Sequence, residues 1–249
     1  MNLAAVLERP KPMWQRRIVP TDDPRDPQPR LPLRTELFLI AHNDKTGKRH
    51  LSRRVLTRGL AGTVLLQFAL TGQIQIGKRP KVREAGYTED TGRISLIDTT
   101  LYGDPIDDAA MKQLRTTGGP LRVRDFIRAF ATPDLYDRIK GDMIATGVLK
   151  REIHYKWGFI RTERYVPTKD AYPIQARSKI RDLFNPRHPN DPGLQLPNLQ
   201  TIALAGVTAA LGLARHLYHP QPGLLHKQLM NLIHRLHDNT IRNVTNTIH

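Results

Sequence analysis

The apolar positions of this chain fall mostly at helical spacing, in segments separated by short runs of glycine, proline and charge. The strongest segment is Gly59 to Leu70, where Leu60, Val64, Leu65, Phe68 and Ala69 recur at i, i+4, i+5, i+8 and i+9. Ala61 and Gly62 leave the start of this helix nearly bare of side chain, so a second helix can approach its backbone closely. Gly72 predicts the stop, because glycine enters the left-handed C-cap conformation without steric penalty. A helix this apolar, expected from about Leu56 to Leu70 with Leu65 and Phe68 buried, reads as the centre of a helical core. Glu36 to Ala41 predicts a short buried helix before it, and Asn43-Asp44-Lys45-Thr46-Gly47 is turn chemistry. Ile74-Gln75-Ile76 and the alternating Arg93 to Asp98 predict two strands of a small antiparallel ribbon.

Further along, Asp104 has the character of an N-cap and Pro105 that of a first helical residue, with Asp107 and Asp108 at the positive end of the dipole. Gly118-Gly119-Pro120 closes that helix. Helices over Arg122–Ala131 and Pro133–Thr146 then lead into a hairpin between Val148 and Val166. Gly158 suits the left-handed third position of a three-residue loop, a register that sets Tyr155 opposite Phe159, Arg151 opposite Glu163 and Leu149 opposite Tyr165. After Pro167 comes a polar, proline-rich connection. One long buried helix is expected from Asn198 to His216, a break at Pro220–Gly223, and an amphipathic helix from Leu224 to Ile241.

The segments TELFLIAHNDKTGK, GLAGTVLLQFALTGQIQI and GRISLIDTTLYGDPIDDAAMKQL, in that order, resemble the Golgi phosphoprotein 3 family, in particular its actinobacterial members. The resemblance begins near Leu33 and continues through MIATGVLKRE into the helical tail. It implies a mainly α fold: a central helical bundle with surrounding amphipathic helices, a small β-ribbon and a protruding apolar β-hairpin. It also implies peripheral binding to phosphoinositide membranes and an adaptor role toward a protein partner, whose identity the sequence does not give. The domain organisation expected is a Pro-rich tail over residues 1–32 and a helical domain over residues 33–249. The headgroup-pocket positions of eukaryotic members fall here on Ser52, Ala61, Pro133 and Tyr136, all different from the family's residues. Arg53, Arg54, Arg58 and Arg138 remain nearby as a less selective lipid-headgroup site, since guanidinium forks suit phosphate oxygens.

Charge narrows the partners. A formal net charge of +16 favours polyanions: an anionic membrane surface, nucleic acid or acidic protein. Helix, helix, hairpin is also the outline of a winged-helix nucleic-acid-binding regulator, the principal alternative. The helix that would read the groove carries Asp134, Asp137 and Asp142 against Arg138 and Lys140, the wrong sign for a phosphate field. The hairpin offers Tyr155, Trp157 and Phe159 beside Lys156, Arg161 and Arg164, a composition suited to the membrane interface or to a protein contact, including a second copy of the chain. No apolar run reaches the roughly 18 residues of a spanning helix, and the N-terminus lacks a secretory pattern. A cytoplasmic, peripheral membrane protein is expected.

Catalytic signals are missing. The chain has no cysteine, no G-x-S-x-G elbow, no Walker A loop and no G-x-G-x-x-G, so no enzyme activity and no cofactor is expected. His216/His219 and His234/His237 stand at i,i+3, but without a second ligand motif they read as a solvated or pH-responsive face and no metal is expected.

Overall fold

The computed structural model describes residues 31–77, 92–117, 121–157, 159–184, 198–217, 222–235 and 239–248. The expected tail therefore lies outside the described residues up to position 30. The described fold is mainly α with two small antiparallel sheets.

Helix α1 (Leu33–Ile40) has every residue buried, including Arg34, Thr35 and Glu36. Burial of the two charges is tolerated because each meets its opposite, as desolvation requires. Arg34 pairs with Asp104, with Asp107 at 2.7 Å and with Asp142 at 3.5 Å. Glu36 accepts from Lys179 at 2.5 Å. Helix α2 (Arg53–Leu70) runs through the middle of the molecule with Leu65 and Phe68 buried, as the sequence predicts. It packs against α1, α4 (Val123–Phe130), α5 (Leu135–Ala145), α7 (Leu199–Ala210) and α9 (Asn239–Ile248). The bare position at Gly62 is where α9 comes close: a Cβ there would lie 2.3 Å from Ile248 Cδ1. The helix ends in a Schellman motif, with Gly72 at φ 76° and the Gln73 amide donating to the Phe68 carbonyl at 2.9 Å.

Strands β1 (Ile74–Ile76) and β2 (Arg93–Leu96) pair antiparallel as expected, Ile76 facing Ile94. A third strand, β3 (Leu121–Arg122), adds to β2. Helix α3 (Pro105–Thr116) is capped by Asp104, whose Oδ1 accepts from the amides of Ile106 and Asp107, both at 2.9 Å. Its Oδ2 is the oxygen that holds Arg34, so one carboxylate both caps a helix and neutralises a buried guanidinium.

Three expectations need correction in the second half. The polar connection after Pro167 contains a helix, α6 (Ala171–Asp182), whose inward side carries Ala176, Arg177 and Ile180. Its apolar positions are too sparse to show periodicity because a buried arginine occupies one of them. The expected long helix stops at Ala210, where Gly212 turns left-handed at φ 67° and a 3₁₀ turn (Leu213–His216) follows. The last amphipathic stretch is two helices, α8 (Pro222–Arg235) and α9; of the break expected at Pro220–Gly223, Pro222 and Gly223 form the start of α8, and positions 220 and 221 lie outside the described residues.

The hairpin strands β4 (Leu149–Lys156) and β5 (Ile160–Pro167) lie where expected, but in a register two residues away. Tyr155 faces Arg161, Arg151 faces Tyr165 and Leu149 faces Pro167. The connection spans positions 157–159, so Phe159 joins Trp157 at the tip, and Trp157 takes the left-handed backbone at φ 54°. A slip of two preserves which face each side chain occupies. Arg151 and Glu163 therefore still meet, diagonally, at 3.8 Å.

Candidate functional site

The site is built where the turn after α1 delivers the chain into α2. Asn43 Oδ1 accepts from the amides of Lys45 (3.2 Å) and Thr46 (2.9 Å), closing the turn. Gly47, at φ 64°, lies so close to β5 that a Cβ would sit 2.5 Å from the Tyr165 carbonyl oxygen. The returning limb pairs Arg49 with His42 in a β-bridge, and the His50 amide donates to the Ala41 carbonyl at 2.9 Å. Ser52 then caps α2, its Oγ accepting from the Val55 amide at 3.4 Å.

This path places Arg49 and Arg53 beside Tyr136 of α5. The Tyr136 ring stacks on Phe38 and His42, with centroids 5.3 and 5.9 Å away. His42 Nδ1 lies 2.7 Å from the Phe38 carbonyl, which can only accept, so Nδ1 carries the hydrogen. Nε2 is then free to accept from the Tyr136 hydroxyl at 2.9 Å. Burial lowers His42 to about 4, consistent with this neutral tautomer. Burial is also the main cause that raises the Tyr136 phenol above its usual range.

Three cations surround the fixed ring. The guanidinium carbons of Arg49 and Arg53 and the ammonium of Lys140 lie 5.4, 5.2 and 5.6 Å from its centroid. Lys140 also stands 4.5 Å from the Tyr165 centroid, joining the site to the base of the hairpin. Asp137 is the carboxylate among them, bonded to Lys140 at 2.9 Å and to Arg53, and those bonds hold it below the usual carboxylate range, the Lys140 bond contributing most. Arg53 also donates to the Pro133 carbonyl at 2.6 Å. The local sum of these four side chains is two positive charges, at the N-terminal end of an 18-residue helix whose dipole adds to them.

Of the four arginines expected to bind a headgroup, Arg53 stands in this cluster. Arg54 and Arg58 lie one turn apart on the exposed side of α2. Arg138 points toward α3, its guanidinium 3.8 Å from Asp134 and 3.4 Å from the Pro105 carbonyl. Three of the four family pocket positions, Ser52, Pro133 and Tyr136, meet around Arg53, whereas Ala61 is buried inside α2. Sequence reasoning missed Arg49, His42 and Lys140. The signal was present in one i,i+4 pair, Tyr136/Lys140, which shares a face of α5.

The hairpin projects its apolar residues into solvent. Tyr155, Trp157 and Phe159 are 64%, 73% and 75% exposed, with Ile153 and Ile160 behind them. Arg161 pairs with Glu163 at 3.6 Å, Arg164 is half-buried, and the Lys156 side chain lies outside the described ones. No helix among the described residues is long and apolar enough to cross a membrane, and no metal-binding cluster occurs among them.

Residues 33–244 match the family model of Golgi phosphoprotein 3 (GPP34), which spans most of the chain.

Proposed function

The chain belongs to the Golgi phosphoprotein 3 family, and on that premise we propose that it is a peripheral membrane protein that binds anionic lipid at the Tyr136 site and inserts its hairpin beside it. The carrying observation is the ring of Arg49, Arg53 and Lys140 around Tyr136, tied through Lys140 to the hairpin base. A lipid phosphate entering there takes over the partners now held by Asp137, and the hairpin aromatics sit close enough in sequence and fold to enter the same interface. Tyr136 in place of a family arginine favours a general anionic headgroup over one particular phosphoinositide. The family is not known as an enzyme family, and the role supported here is non-enzymatic: an adaptor holding a protein partner at the membrane. Nucleic-acid readout through α5 is disfavoured, because Asp134 and Asp137 stand on the face that this helix leaves exposed, the wrong sign for a phosphate field.

Vesicle sedimentation tests the site with opposite signs. Arg49→Gln with Arg53→Gln removes two cations, each worth about 1 kcal/mol at an anionic surface. Partition into phosphatidylglycerol vesicles is expected to fall about 30-fold. Asp137→Asn removes the competing carboxylate and is expected to strengthen binding. Equal, small losses for both variants would overturn the site.

A further inference from the structure

The imidazoles of His50 and His216 lie face to face, 3.6 Å between centroids and 7° from parallel. His50 belongs to the limb that carries Arg49 and leads into α2; His216 belongs to the 3₁₀ turn after α7. Behind the stack is Arg177 of α6, a buried guanidinium that donates to the carbonyls of Leu39, His42 and His216, each at 3.1 Å. It also holds both carboxylate oxygens of Asp44, at 2.9 and 3.0 Å. One arginine thus ties the base of the turn to the 3₁₀ segment, and the paired rings close the other side.

We infer that this pair is an acid-opened clasp: neutral, the rings hold the Arg49 limb in place and keep the Tyr136 site assembled, and protonation releases it. The inference rests on the reading of that site as an anion-binding one. Among the described residues, the charged groups that act on the rings are Arg177 from α6, Arg215 from the 3₁₀ turn and Asp44 from the turn after α1. Among the described residues Asp44 is the carboxylate acting on the pair, and it is already committed to Arg177. Arg215 Nε lies 3.2 Å from His216 Nε2 and donates to it, so a proton on that nitrogen would set donor against donor. Burial, the neighbouring ring, Arg215 and Arg177 together lower His216 to about 4, and burial and Arg177 lower His50. The sign follows from linkage. An imidazole released to solvent titrates near ~6.5 and takes up the proton that the closed form refuses. Between pH 8 and pH 5 the closed-to-open ratio therefore falls about 30-fold from His216 alone.

Hydrogen exchange on the full chain reads that ratio. The amides of His50 and Asn43, bonded to the Ala41 and Lys48 carbonyls at 2.9 Å each, should lose about 30-fold in protection from pH 8 to pH 5 after correction for intrinsic rates. The amide of Leu65 in the middle of α2 should not follow. His216→Phe keeps a stacked ring that cannot titrate, and its turn should lose the 30-fold component that His216 supplies, leaving only the response of the histidines that remain; His216→Tyr, whose ring is also uncharged over this range, carries the same expectation should the first variant fail to fold. On phosphatidylglycerol vesicles, whose phosphodiester charge is constant over this range, the wild type should lose affinity at pH 5 relative to His216→Phe. Identical pH profiles for wild type and variant overturn the clasp. Protection that tracks pH with no vesicle binding even at pH 8 overturns instead the headgroup reading, and with it the clasp's link to lipid.

Discussion

Truncating the hairpin tip, Trp157→Ala with Phe159→Ala, separates its use from its fold. Both rings are about three-quarters exposed, at 73% and 75%, so neither contributes much burial to the folded chain. Burying such rings is worth about 1.5–3 kcal/mol each, and three-quarters of that for two rings comes to roughly 2–4.5 kcal/mol. Partition into phosphatidylglycerol vesicles should therefore fall between about 30-fold and about 2,000-fold at constant salt, while the free energy of unfolding in urea stays within about 0.5 kcal/mol of wild type. Unfolding has to be followed by far-UV circular dichroism, because Trp157, one of the chain's two tryptophans, is removed in the variant. Unchanged vesicle binding would refute the insertion of the tip. If light scattering then showed a lower oligomer mass, the tip would be a protein contact, the other purpose an exposed apolar surface serves.

Phe68→Ala, at a position 2% exposed in α2, should cost about 3–5 kcal/mol by the same unfolding assay. Arg177→Met leaves three carbonyls and Asp44 without their donor and should cost a similar ~3–5 kcal/mol. Asp44→Asn should cost less, because the Asp44 side chain is 22% exposed and the carbonyls keep their arginine. His42, lowered to about 4, binds its proton more weakly folded than unfolded, so stability at neutral pH is lost as pH falls from about 6.5 toward 4. Asp107, raised to about 6 chiefly by burial, acts with the opposite sign, gaining stability as pH falls below 6. The test is therefore a difference: His42→Gln should flatten the acid loss relative to wild type, and parallel curves would contradict the assignment.

The architecture was legible where one face of an element is purely apolar. The stripe Leu60, Val64, Leu65, Phe68, Ala69 with Gly72 behind it determined α2 and its cap, and Asp104-Pro105 determined the start of α3. It was illegible where charge is buried. Arg177 hid α6 inside a polar stretch, and Gly212 ended α7 inside an apolar one whose hydropathy does not change there. The hairpin register failed by two residues because Gly158 marks a turn but does not fix which three residues form it. The site was half legible for a related reason. Arginines clustered in sequence drew attention to Arg53, Arg54 and Arg58, yet of these it is Arg53 that meets the ring of Tyr136, and the ring's other cations are Arg49, just upstream, and Lys140. Contacts between positions some ninety residues apart, such as His42 with Tyr136, leave no local pattern.

The central claim is that this strongly basic chain seeks a membrane surface rather than nucleic acid. The direct measurement is partition of the wild-type protein among phosphatidylglycerol vesicles, phosphatidylcholine vesicles and duplex DNA at one ionic strength, about 0.15 M and pH 8. Binding to either polyanion weakens with salt, so the comparison is made at a single ionic strength. The account predicts clear sedimentation with the anionic vesicles, little with the neutral ones, and DNA binding that is weak and indifferent to sequence. A defined footprint on duplex DNA, together with equal partition into neutral and anionic vesicles, would contradict it.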